Sequence, residues 1–508
     1  MKNILILILT IIFTSGCSKD KQTKHPNIIY VFPDQFRKTA VGFWNTPEFN
    51  DAISTQADPV YTPNLNAFAK SAIVFTSATA PTPICSPSRS SLMTGMFPTT
   101  SGVPLNCNSL RPISSLRKDV VCFSDVLNNN GYDLAYFGKW HLDHPTKNNP
   151  QNPGSYLNSE NPCWDAYTPP ESRHGFNHWY SYGTFDVHKN PHYFDNDGTR
   201  HEPKEYSPKH EANKVIEYLQ NKNAERDNNK PFAIFVAMNP PHSPYNSLED
   251  CMEEDFNLYK NYSLSELLVR DNADTSISKA HSASFYFANI TGVDREFGRI
   301  LNELDKLNLS EHTIVVFSSD HGETMCSHGV ADAKNTIYNE AFEIPLLIRW
   351  KGKIQSEINN MLISVPDIMP SLLGLLGLSA DIPQTVEGTD YSNHFLKIED
   401  TTKMPKSTLY IRNIDGAKDK NGKVLNYFPV ARGVKTERYS LELTIDHSGE
   451  LTNTKFFDNK TDPYQMNNLI VDKSNPVITE LLNELKYWLK KSKDPWHNDK
   501  ILSDWIDY

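Results

Sequence analysis

The sequence predicts an α/β fold, with a large, mostly parallel central sheet flanked by helices and a smaller strand-rich unit at the C-terminal end. Three observations predict it. Apolar runs at 27–32, 132–137, 232–238 and 313–317 are short, nearly continuous and rich in β-branched and aromatic residues, the pattern of strands buried on both faces. Helical stretches such as 208–220 and 283–304 lie between them, and alternating strands and helices make parallel crossover units. From about residue 405 the pattern changes to short strands separated by turn-rich segments.

In chain order, the first segment is a leader. Lys2, an apolar run at 4–13 and the small residues Ser15-Gly16 have the layout of a secretory signal peptide, and the run is too short to span a bilayer. Cys17 at its end resembles the lipidated cysteine of a bacterial lipoprotein, with Thr14 departing from the usual leucine. The expected division is a signal peptide at 1–16, a tether at 17–25, a catalytic α/β domain at 26–400 and a C-terminal subdomain at 405–508. An exported protein anchored through Cys17, periplasmic or on the surface of a bacterium, follows. No later segment has the length and apolarity of a membrane-spanning helix.

Each of the four strand runs ends abruptly in polar residues. These are Pro33-Asp34-Gln35, Gly138-Lys139-Trp140-His141, Asn239-Pro240-Pro241-His242 and Ser318-Ser319-Asp320-His321-Gly322. Ligands of parallel α/β sheets bind beyond the carboxyl ends of the strands, so all four clusters are expected on one edge. Between them, 143–161 is rich in Asn and Pro and reads as a long surface loop. In the tail, 408–412, 430–443 and 455–458 read as strands, and 477–490 as an amphipathic helix.

Composition bounds the function. The 508 residues can bury a large core, and 38% hydrophobic and 11% aromatic content suits a globular enzyme. A net charge of −11 argues against a nucleic-acid partner, and an anionic substrate would need a local basic pocket. Apart from Cys17 and Cys85, five cysteines remain, an odd number that cannot all pair; Cys107 and Cys122 are close enough in sequence to close a loop, which spacing alone does not establish.

Asp34, Gln35, Asp320 and His321 offer two carboxylates, an amide oxygen and an imidazole, an oxygen-rich set that points to a hard cation, calcium before magnesium. The string Cys85-Ser86-Pro87-Ser88-Arg89-Ser90-Ser91-Leu92-Met93-Thr94-Gly95 closely resembles the signature of the type I, formylglycine-dependent sulfatases of the alkaline-phosphatase superfamily, bacterial carbohydrate sulfatases among them. The resemblance implies that Cys85 is oxidised to formylglycine by a maturation enzyme and joins the ligands of one calcium ion, with Gln35 standing where an aspartate is usual. It also implies an antiparallel sheet with a packed helix in the C-terminal subdomain.

The same resemblance implies roles for the remaining residues. Arg89 braces the nucleophile and the metal ligands. Lys139 and Lys334 contact sulfate, His141 takes a proton from the hydrated aldehyde, and His242 protonates the leaving alcohol. Histidine suits both proton transfers because its ordinary pKa lies near neutrality. A helix expected from residues 90–94 would point its positive end at the anion. The segment 143–200 corresponds to variable substrate loops; Arg173 and His174, then His188 and His192, combine cations with aromatic neighbours and are expected to touch a sulfated carbohydrate.

The implied activity is hydrolysis of sulfate esters. Two alternatives remain: a phosphodiesterase or phosphonate monoester hydrolase of the same superfamily, and an inactive surface glycan-binding lipoprotein.

Overall fold

In the computed structural model, residues 25–330, 332–399 and 401–508 are described; the expected signal peptide and Cys17 lie outside them. A ten-stranded sheet runs through the larger part of the chain. At its centre Thr313–Phe317, Asn27–Val31, Phe232–Ala237, Asp133–Lys139 and His178–Tyr182 lie side by side and all parallel. The first four of these are buried at every position, which is why they read as nearly unbroken apolar runs. Antiparallel pairs flank this core, with Leu347–Trp350 on one side and Tyr193–Phe194 and Arg200–His201 on the other.

Helices Ser207–Gln220 and Ala283–Lys306 pack on one face with aromatic and aliphatic side chains such as Tyr218, Tyr286, Phe287 and Phe297. Helices Cys85–Thr94, Phe123–Asn129 and Val365–Leu375 close the other face. Both faces are therefore covered, as a parallel sheet requires.

The tail forms a separate four-stranded antiparallel sheet, Ser407–Asp415, Tyr427–Thr436, Tyr439–Ile445 and Leu451–Asp458, with the helix Pro476–Lys491 on one face. The single strand expected over 430–443 is two strands of a hairpin, because the polar Glu437-Arg438 pair turns the chain. This sheet is not remote from the first unit. Ile411 donates its backbone N–H to the Pro81 carbonyl at 2.7 Å, and Asn413 Nδ2 donates to the Pro104 carbonyl at 3.2 Å. The six described cysteines are all unpaired and buried.

Candidate active site

The carboxyl ends of the central strands bring the polar clusters to one edge. Asp34 and Gln35 follow Asn27–Val31, Asp320 and His321 follow Thr313–Phe317, His141 follows Asp133–Lys139, and Asn239 and His242 follow Phe232–Ala237. Gly138 makes the approach possible. Its φ is +94°, and an added Cβ would lie 2.3 Å from the Ala237 carbonyl oxygen, so only glycine lets Lys139 arrive beside Asn239. Gln35 and His141 themselves hold positive φ, 63° and 51°, a strained conformation for side chains of that size and one that clusters at functional sites.

Helix Cys85–Thr94 points its first residue at this edge. It begins five residues before the expected 90–94. Ile84 is extended and caps it, and Pro87 sits in the first turn, where a missing N–H costs nothing. The Cys85 sulfur is buried, 3.4 Å from His321 Nε2, 3.4 Å from Lys334 Nζ and 3.6 Å from Asp34 Oδ1. Four residues on, Arg89 reaches back with its whole fork. Its Nε donates to Asp320 at 3.0 Å, one terminal nitrogen to Asp34 at 3.1 Å, and the other to the Lys139 carbonyl at 2.7 Å. A buried guanidinium is costly, but two carboxylates and a carbonyl satisfy it, and it fixes three strand ends at once.

Positive charge dominates the rim. Lys139 Nζ is 2.8 Å from Asp34 Oδ2 and donates to Asn239 Oδ1 at 3.1 Å. Lys334 Nζ lies 2.9 Å from His242 Nε2. Burial would raise the Cys85 thiol, yet the charges of Lys334 and Lys139, with the His141 and His242 imidazoles nearby, hold it well below its ordinary value. The position next to the helix therefore favours an anion. Burial pushes His141 down and keeps it neutral. Its Nε2–H donates to the Cys107 carbonyl at 3.1 Å, so the lone pair is on Nδ1, which is buried without a partner. At His242, Nδ1 donates to the Ser243 carbonyl at 2.7 Å and lies 3.4 Å from Asp186, leaving Nε2 to the cleft.

The acidic side of the site fits a cation. Ligand atoms of Asp34, Cys85, Asp320 and His321 all lie within 4.8 Å of one another, and all four residues are buried. Burial, together with the charge of Asp34, pushes Asp320 above the usual carboxylate range, while Lys139, His242 and Arg89 overcome burial to hold Asp34 below it. His321 is raised against burial by Asp320, so the space between these groups favours positive charge. Gln35 completes the set. Its amide nitrogen donates to Glu323, which as a carboxylate can only accept, and this leaves Gln35 Oε1 buried and without a partner. An orphaned amide oxygen beside two carboxylates suits a hard cation.

Above these groups opens a cleft of about 730 Å³, lined by Cys85, Lys139, His141, His242 and Lys334 and, facing them, by Trp164, Asp186 and Tyr245.

A family profile described as Sulfatase matches residues 26–378. The chain belongs to the sulfatase family. A second profile, for the C-terminal region of N-sulphoglucosamine sulphohydrolase, matches residues 326–494 of this sulfatase. Among relatives, an endo-4-O-sulfatase of Bacteroides thetaiotaomicron is 54% identical over 505 residues, covering 98% of this chain and 99% of the relative. An ulvan-active sulfatase of Formosa agariphila is 34% identical over 491 residues, covering 93% and 82%. A solved structure from work on the metabolism of multiple glycosaminoglycans by Bacteroides thetaiotaomicron superposes with a TM-score of 0.94 at 55% identity, covering 96% of this chain and all of that one. The protein is a sulfuric ester hydrolase of the alkaline-phosphatase superfamily, related to bacterial carbohydrate sulfatases.

Within the sulfatase, the residues expected from the strand ends, from the Cys85 helix and at Lys334 come together. Arg173 and His174 do not line the cleft. Arg173 is turned inward, donating to the Thr168 and Asn196 carbonyls at 3.2 and 2.9 Å beneath the Trp179 ring, and His174 meets Asp125 at 3.0 Å. His188 and His192 are buried against the Asp250 carbonyl and Asp165. Sequence reasoning gave no individual role to Asp186, Trp164, Asn239 or Glu323, although Asn239 stands in a strand-end cluster and Asp186 and Trp164 in the 143–200 segment. Asn239 and Glu323 carried a usable signal, since each is a polar residue close behind a strand end; Trp164 and Asp186 carried only their place in the segment expected to hold substrate loops.

Proposed function

We propose that this sulfatase removes an O-sulfate from a carbohydrate, in particular a 4-O-sulfate within a glycosaminoglycan chain, with residue 85 working as formylglycine beside a bound calcium ion. The observation that carries the reading is the meeting of residue 85, two lysines, two histidines and a carboxylate set within one cleft. The activities of the relatives support the carbohydrate class, and the 54% identical endo-4-O-sulfatase supports the position. Formylglycine, when hydrated, supplies one hydroxyl to attack sulfur and a second whose deprotonation expels sulfate. Calcium held by Asp34, Gln35, Asp320, His321 and residue 85 supplies Lewis-acid polarisation of an oxygen placed there.

The chain's own groups do the rest. Lys139 and Lys334 cradle the sulfate oxygens and stabilise charge as it moves toward the leaving oxygen. His141 Nδ1, neutral and unpartnered, accepts a proton from residue 85. His242 Nε2 delivers a proton to the departing sugar oxygen, with Nδ1 held by the Ser243 carbonyl and faced by Asp186. Burial would raise Asp186, but His242, Lys139 and Lys334 keep it lowered and ionised, so its charge supports the protonated imidazole. Export, maturation by a formylglycine-generating or radical enzyme, and a membrane anchor through a lipid on Cys17 belong to the same proposal, and place the enzyme where sulfated polymers are degraded. Fatty-acid labelling that persists in Cys17→Ala would defeat the anchor.

A panel of defined glycosaminoglycan and ulvan oligosaccharides, nitrophenyl sulfate, phosphate diesters and phosphonate monoesters tests the function. The expected result is sulfate release from 4-O-sulfated glycosaminoglycan units well above turnover of any phosphorus ester. Preferred hydrolysis of a phosphorus ester, or turnover confined to aryl sulfates, would overturn it.

A further inference from the structure

We infer that the catalytic cleft continues into a second chamber that holds a neighbouring sugar unit of the same substrate chain, and that the C-terminal sheet supplies one of its walls. The inference rests on the carbohydrate reading above.

The cleft at residue 85 and a second hollow of about 510 Å³ share two lining residues, Asn106 and Trp164. That volume lies within the range of about 300–1,000 Å³ typical of small-molecule sites. The hollow is not a distant surface feature. Ile84, one of its lining residues, is the cap of the helix that starts at Cys85, so the two spaces adjoin along the chain as well as in space. On the far side it is lined by Asn413, Ile414 and Asp415, the end of the first strand of the C-terminal sheet.

The chemistry of this chamber differs from that of the cleft. The cleft carries Lys139 and Lys334, suited to sulfate. Arg111 is the one cation among the described residues lining the chamber, and it is already committed. It pairs with Asp415 at 2.7 Å, donates to the Asn106 carbonyl at 3.1 Å and lies 5.6 Å over the Trp164 ring. Arg111 thus braces both shared walls rather than offering a free charge. What the chamber does offer is the half-buried indole of Trp164, a flat apolar surface for the C–H face of a pyranose, and acceptors for hydroxyls. Asn335 lines it with a half-buried side chain, and Asp332 adds an exposed carboxylate. The sulfate-bearing unit sits in the cleft, and the adjacent unit is read in the chamber by ring stacking and hydroxyl hydrogen bonds.

The test measures kcat/KM on a 4-O-sulfated monosaccharide and on a hexasaccharide of the same repeat, for the wild type, Ile414→Trp and Asp415→Ala. Ile414→Trp fills the chamber from the sheet side. Asp415→Ala frees Arg111 and loosens the wall without adding bulk. The ion pair is mostly buried, but Arg111 keeps its bond to the Asn106 carbonyl and its place over the Trp164 ring, so this second variant is expected to fold. The wild type should prefer the hexasaccharide. Ile414→Trp should lose that preference by at least about tenfold, or ~1.4 kcal/mol, with monosaccharide turnover and thermal melting little changed. Asp415→Ala should move the same way to a smaller extent. Equal losses on both substrates, or an unchanged hexasaccharide preference in both variants, would overturn the chamber. A wild type that turned over no saccharide at all would instead overturn the carbohydrate reading, and the chamber with it.

Discussion

Two regions of this sulfatase have similar side chains and opposite fates. At the edge of the parallel sheet, arginine, lysine and histidine converge around one cleft, each within hydrogen-bonding distance of a partner there. In the segment 143–200, arginine and histidines set among aromatic rings turn inward and brace the protein. The difference lies in what fixes the backbone. The strand ends are held in register by neighbours paired on both sides, so a polar residue just past each one has its direction set. The insertion has long irregular stretches, and there the nearest satisfied geometry decides. Arg173 finds two carbonyls and an indole face, which replace part of the hydration that burial removes. Composition alone cannot tell a binding loop from one that packs.

The contrast can be broken from the sheet edge first, where the expected effects are largest. Stripping divalent metal should abolish turnover, and calcium should restore it; full activity in protein shown to be metal-free by elemental analysis would remove the cation from the account. His242→Ala should lower kcat on a sugar sulfate by about 10²–10⁴-fold, the usual worth of a general acid. Nitrophenyl sulfate has a good leaving group and should suffer far less. Equal losses on the two substrates would mean that His242 only positions Lys334, from which its Nε2 lies 2.9 Å.

The insertion should answer differently. Arg173→Ala should destabilise the fold by about 2 kcal/mol, since two charge-assisted bonds are lost, while kcat/KM on sugar sulfates stays within about twofold of wild type, well short of a tenfold, ~1.4 kcal/mol change. His174→Ala removes one hydrogen bond to Asp125 from a mostly buried pair and should cost about 1 kcal/mol. Calorimetry alongside kinetics separates the outcomes. A fall in kcat/KM with unchanged melting for either variant would mean that the loop side chains swing into the cleft, and the contrast would be wrong.

Legibility in the sequence follows the same division. The central strands were visible because complete burial demands apolar residues at every position. Their shared edge followed from topology, and Cys85 and Arg89 from an uninterrupted motif. The C-terminal hairpin was merged into one strand because its turn is only the pair Glu437-Arg438, without glycine or proline to mark it. The start of the Cys85 helix was misplaced because its cap, Ile84, is a residue that gives no capping signal. Trp164 and Asp186 reach the cleft through long-range packing that no local pattern encodes.

The central claim is that the sheet-edge cluster serves residue 85 as the reacting group of a sulfatase. The most direct measurement is the mass of the proteolytic peptide that contains residue 85, isolated from active enzyme made in a host with the maturation system. The account predicts that the cysteine sulfur has been lost and an aldehyde oxygen gained, in proportion to the activity of the preparation. Active enzyme whose peptide carries only unmodified cysteine would contradict it.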